Sequence, residues 1–175
     1  TIELEAINGS IDMTDGALIQ TANQPVRLKA AQEIMLGGVD AGNSLVSLIA
    51  VNGSISDNGD AHDDVAAGTL RLEAGFGFGF ISSAGINLID TAVDVVGGLS
   101  GVAGIYLENT RALSIGTAGD VVVDRVDAAG AAPMMDQLTD AAIDGLETNQ
   151  GNGVIVVITI DGQLSVDQPV TASLG

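Results

Sequence analysis

Four short segments of the chain repeat one pattern of apolar and polar positions. Ile2, Leu4 and Ala6 alternate with Glu3 and Glu5, and Val26, Leu28 and Ala30 alternate with Arg27 and Lys29. Val46, Leu48 and Ala50 follow, then Leu70, Leu72 and Ala74. A strict period of two predicts a strand with one buried face. The copies begin 24, 20 and 24 residues apart. Their flanks agree as well, because Asn8-Gly9-Ser10-Ile11 returns as Asn52-Gly53-Ser54-Ile55, 44 positions later.

A unit of this length cannot bury its own apolar face, but stacked copies can. Parallel stacking at about 4.8 Å per layer aligns Ile2, Val26, Val46 and Leu70 in one inward column. Leu4, Leu28, Leu48 and Leu72 form the next, and the four alanines a third. A β-sandwich is the competing reading, but it does not require one residue type to return at one place in every unit. The columns therefore predict an all-β, right-handed parallel β-helix over residues 1–175, a single solenoid segment that belongs to a longer chain or a filament. The register also pairs charges on the outer face, Glu3 beside Arg27 and Glu5 beside Lys29. Arg71 and Glu73 meet Ser47 and Ile49 instead. Asn8, Gln32 and Asn52, two positions beyond the alanines, are expected to stack as an interior amide column.

The second half repeats less regularly. Strands are expected at Val93–Val96, Ile105–Leu107, Leu113–Ile115, Val121–Val123, Val154–Ile160 and Leu164–Val166. Asp161-Gly162-Gln163-Leu164 matches the Asn-Gly-Ser-Ile turn. Alignment on that turn points Ile155 and Val157 inward, whereas alignment on Ile105, Leu107, Leu113 and Ile115 points Val156 and Ile158 inward. Residues 128–153 break the pattern. Pro133 and the stretch around Met135, Leu138, Ala142 and Leu146 predict an excursion from one coil, as a loop, a short helix or an extended hairpin. The stretches 37–43 and 97–104 read as turns between strands.

Composition fits thin stacked layers. Apolar residues make up 46% of the chain but aromatics only 2%, so the core must be built from small and branched side chains. Five Lys and Arg against 23 Asp and Glu give a net charge of −18, which repels nucleic acid and anionic membranes. There is no Cys, hence no disulfide framework, thiol nucleophile or Cys-ligated zinc. The longest aliphatic run, Val154 to Ile158, is too short to span a bilayer. The chain opens directly on TIELEA, as expected of a mature protein or an excised segment.

The stretches LEAGFGFGF, INLIDTAVDVVGG and GIYLENTRALSIG, followed by Asp124-Arg125-Val126 and GNGVIVVITIDGQLSVD, resemble repeats of giant secreted bacterial surface proteins of the filamentous-haemagglutinin type. The resemblance covers most of residues 1–167, although these strands carry more Ala, Val and acid than the Thr-rich strands usual there. It implies a parallel β-helix, an extracellular, cell-surface location and a role as adhesin or scaffold. The partners it implies are neighbouring coils or subunits end to end, and cell-surface or matrix components.

Candidate chemistry is sparse. Asp57, Asp60, Asp63 and Asp64 surround a flexible Gly59 and offer hard oxygen ligands for calcium, the one cofactor candidate, although the spacing matches no EF-hand or β-roll loop. The same residue types also suit a plain solvated turn. His62, the single histidine, has no identifiable nucleophile beside it. No Walker loop, GxSxG elbow or HExxH occurs. Phe76, Phe78 and Phe80 alternate with glycines and are expected on one face of a strand, filling the core. The expected function is structural or adhesive, without catalysis. The alternatives are a β-helical polysaccharide lyase or hydrolase and a calcium-dependent β-sandwich module of a giant adhesin. Neither end of the chain carries a capping pattern, so both are expected to meet further β structure.

Overall fold

The computed structural model describes residues 1–59, 62–82, 85–126, 135–151 and 153–173, with the backbone alone at 81, 82, 125, 126, 135 and 136. Its strands stack in parallel into a β-solenoid of about six turns, with no helix among the described residues. Each complete coil contributes to three walls. The first wall begins with Ile2–Ala6, Val26–Ala30 and Leu45–Ala50, and continues through residues 69–74 and 95–100. The second holds Ile11–Asp12, Ile34–Leu36, Ser54–Asp57 and Gly77–Phe78. The third starts with Leu18–Gln20 and Gly38–Asp40, then residues 65–67 and 89–93.

The columns form as the repeat requires. Ile2 pairs with Val26, Val26 with Val46 and Val46 with Leu70, while Leu4, Leu28, Leu48 and Leu72 stack beside them. From the second coil upward these side chains are fully buried. Full burial of each aliphatic side chain contributes roughly 1.5–3 kcal/mol. Parallel pairing in stacked coils also rules out the sandwich alternative. Ile155 pairs with Ile105 and Val157 with Leu107, so Ile155 and Val157 are the residues packed against the core.

Gly98 interrupts the leucine column, standing between Leu72 and Leu146. A Cβ on Gly98 would lie 3.3 Å from the ring of Phe78, which fills the space the glycine leaves. Phe76 and Phe80 do not join Phe78 in the core: they are 50% and 45% exposed. Gly79 adopts φ +59° between Phe78 and Phe80, so the period of two ends there and the chain bends into a hairpin, Phe80–Ser82 against Gly85–Asn87. Gly97 and Gly98 likewise lie within the strand Ile89–Ser100, and Gly38 begins the strand Gly38–Asp40, rather than forming turns.

The amide column does not form inside. Asn8, Gln32 and Asn52 are exposed, because the backbone has already turned outward past the alanine column. Asn52 Nδ2 donates instead to the Ala31 carbonyl of the coil below. The interior amide is Asn109, fully buried. Its Oδ1 accepts from Thr91 Oγ1 and Val93 N at 2.8 and 2.9 Å, and its Nδ2 donates to the carbonyls of Val93 and Arg111. Every polar atom of that side chain is satisfied, as burial demands.

The excursion is an antiparallel hairpin, and it leaves the solenoid earlier than the composition suggested. In the sixth coil the first wall is split between Leu113–Ile115 and Leu146–Thr148. Between them Thr117–Ala118 pairs with Ile143–Asp144, and Val121–Val126 with Met135–Asp140. Val121–Val123 therefore belongs to this arm, while Leu146–Thr148 is already back in the wall. Gly145 N donates to Gly116 O and closes the arm's root.

Candidate functional site

Of the acidic turn, Asp57, Asp63 and Asp64 are described. Asp57 ends a second-wall strand; its Oδ1 accepts from Gly59 N at 2.7 Å, and Asn87 Nδ2 donates to its carbonyl and its Oδ2. Asp64 is fully buried just before the third wall, and its Oδ2 accepts from Asp90 N at 2.8 Å in the coil above. Asp63 Oδ1 is 3.5 Å from the Thr110 hydroxyl. His62 and Asp63 border a cleft of about 320 Å³ floored by Gly16, Ala17, Leu18, Gly37 and Gly38. Asp57 faces a different cleft, with Asn87, Asp90 and Glu108. Asp60 lies outside the described residues. Among the described residues no three His, Asp or Glu side chains are arranged to hold a metal. Asp40, in the coil below, has its pKa lowered by the Gly42 N–H, with the Gln20 amide adding to the effect.

The outer face of the first wall holds most of the chain's positive charge. The predicted pairs form: Arg27 Nη1 lies 3.0 Å from Glu3 Oε1, and Lys29 Nζ 3.4 Å from Glu5 Oε1. Arg71 lies beside Ser47 and Glu73 beside Ile49, as the register required. The arm then folds down over this face from the sixth coil. Asp140 accepts two hydrogen bonds from Arg27 Nε, at 3.0 and 2.9 Å, and one from Ser47 Oγ at 2.8 Å. Arg71 Nε donates to the Ala141 carbonyl, and its Nη2 lies 2.8 Å from Glu73. Arg27 and Arg71 are consequently only 4% and 5% exposed. Arg111 pairs with Asp94 and donates to the Ala67 carbonyl. Each of these four basic side chains is thus engaged by the protein's own acceptors. The repeat register marks the Glu3–Arg27 and Glu5–Lys29 pairs but not Asp140, because 113 residues separate it from Arg27.

Among the described residues, the two ends present open strand edges. Ile2–Ala6 pairs with Val26–Ala30 on one side and with no strand on the other, among the described residues. At the opposite end Leu164–Val166 and Val170–Ala172 form the last layer of the first wall, and Ile155–Thr159 the last layer of the other two. Apolar side chains crowd these layers: Leu18 is 60% exposed and Val166 61% exposed. The inward columns close on Ile2, Leu4 and Ala6 at the first edge and on Val166, Val170 and Ala172 at the last. The two edges therefore carry one pattern, two apolar residues and an alanine.

No protein-family model matches the chain, and no curated protein or solved structure matches it. No helix among the described residues is long and apolar enough to cross a membrane.

Proposed function

We propose that the chain is a structural segment of an extracellular bacterial stalk or filament that grows along its axis by β-coil stacking and performs no catalysis. The observation that carries this reading is the pair of open edges with matching inward columns. An open parallel edge templates another strand, and each inward column is set to continue through one. The acidic flanks oppose sideways association and leave the axial direction free. The location follows from the resemblance to filamentous-haemagglutinin repeats, with which the repeated parallel coil agrees. The engagement of Arg27, Lys29, Arg71 and Arg111 by acids and carbonyls favours this reading over a lyase, which needs a free cation for an acidic sugar. An adhesive role would fall to the exposed Phe76 and Phe80 at the second wall.

Sedimentation velocity over a concentration series, with negative-stain microscopy, tests the proposal. The chain should form rods that lengthen along one axis. Val166→Lys, which places a charge on the exposed last layer, should shorten them. A monomer at every concentration, with both terminal strands protected from hydrogen exchange, would overturn it. Depolymerisation of an acidic polysaccharide by the same preparation would establish the enzymatic alternative.

A further inference from the structure

We infer that Asn8 is a site of spontaneous backbone modification, singled out by the fold from other Asn-Gly pairs in the chain. Asn8-Gly9, Asn52-Gly53 and Asn58-Gly59 all lie within the described residues. The first two share nearly the same local sequence, Ile-Asn-Gly-Ser and Val-Asn-Gly-Ser, so their intrinsic reactivity is the same. Their surroundings differ. Asn52 N and Nδ2 both donate to the Ala31 carbonyl, and Gly53 O accepts from Phe76 N in the coil above. Gly53 is buried, and a Cβ there would meet the Gln32 carbonyl at 2.7 Å. Asn58 is also tied, with Nδ2 on the Met13 carbonyl at 2.6 Å and N on the Leu36 carbonyl. The Gly59 N–H is held by Asp57 Oδ1. Asn8 is exposed in the first coil, and its carboxamide makes no hydrogen bond among the described residues. Gly9 has open space where a Cβ would stand.

The reaction needs the Asn carboxamide to swing onto the following backbone nitrogen. The Gly9 nitrogen, having lost its proton to solvent, attacks Asn8 Cγ. A new N–Cγ bond forms, the Cγ–Nδ2 bond breaks, and ammonia leaves with the proton returned by solvent. Water then opens the resulting succinimide at either carbonyl and gives aspartate or isoaspartate. One water is consumed, one ammonia is released, and nothing is oxidised or reduced. At Asn52 and Asn58 the same swing must first break the bonds named above. At Asn8 it breaks none. The isoaspartate product adds a methylene to the backbone between Ile2–Ala6 and Ile11–Asp12. That addition works against the Gln32 N to Gly9 O and Ile11 N to Glu33 O hydrogen bonds that hold the first coil on the second.

Peptide mapping by mass spectrometry, on the folded chain held in mildly alkaline buffer, tests this directly and does not depend on axial assembly. Asn8 should convert several-fold faster than Asn52 and Asn58. In denaturant Asn8 and Asn52 should convert at one rate. Gly9→Ala should slow conversion at Asn8 and leave thermal melting unchanged, since Gly9 is not among the positive-φ glycines and has room for a methyl group. Conversion of folded Asn52 or Asn58 as fast as Asn8, or an Asn8 lead over Asn52 that persists in denaturant, would overturn the inference.

Discussion

Asp140 sits on Arg27 across 113 residues of chain, accepting two hydrogen bonds from one guanidinium nitrogen and a third from Ser47. Glu3 takes the other side of the same guanidinium. An arm that leaves the sixth coil is thereby fastened to the second and third. Both partners are nearly buried, with side chains 5% and 8% exposed.

Removing one member of such a pair leaves the other as a buried charge short of a partner. Asp140→Ala should destabilise the protein by about 3 kcal/mol. Arg27→Met combined with Asp140→Leu should cost much less, because no charge is then stranded. Denaturant unfolding of the wild type, both single variants and the double variant measures the coupling. Equal losses for Asp140→Ala and the double variant would mean that the arm contributes packing alone.

Gly97 occupies the outward column directly above Arg71, where every lower coil carries a side chain. A Cβ there would lie 2.6 Å from the Ile143 carbonyl and 2.9 Å from Ala118 Cβ, at the base of the arm. Gly97→Ala should therefore cost about 1–3 kcal/mol. The loss should appear as faster hydrogen exchange in Val121–Val126 and Met135–Asp140, with the second and third coils still protected. Uniform loss of protection would place the strain in the solenoid wall instead.

Asp64 distinguishes a structural carboxylate from a metal ligand. Its Oδ2 accepts the Asp90 N–H from within the protein. Asp64→Ala should lower stability by about 1.5–3 kcal/mol, as expected for a charge-assisted hydrogen bond, and equally in calcium and in chelator. A loss that appears only in calcium, together with a wild-type melting temperature that drops on chelation, would assign Asp57, Asp60, Asp63 and Asp64 to a bound ion.

The inward columns were legible in the chain because stacking makes spatial neighbours of equivalent repeat positions. Glu3–Arg27 and Glu5–Lys29 were legible for the same reason: a register that aligns Ile2 with Val26 must align the residues between them. Alternation lost its meaning where the backbone leaves the extended conformation. Asn8, Gln32 and Asn52 share a place in the repeat, but the corner turns them to solvent. Phe80 keeps the spacing of Phe78, yet Gly79 at φ +59° lies between them and breaks the alternation, and Phe76 stands in the bend before the strand Gly77–Phe78.

Local sequence thus determined the coil, its register and the pairing of neighbouring layers, since period, turn residues and repeat length act over one or two coils. Tertiary structure alone decided which side chains meet across the arm. Arg27, Ser47 and Arg71 are surface positions by their alternation, and nothing nearby in the chain marks them for burial. They are buried because a hairpin inserted opposite Gly97 folds back over four layers and brings Asp140 and Ala141 to them. Asn109 likewise becomes an interior residue only because Thr91, Val93 and Arg111 supply a partner for each of its polar atoms. A buried amide or guanidinium is tolerable only when its partners are in place, and those partners are supplied by the folded chain.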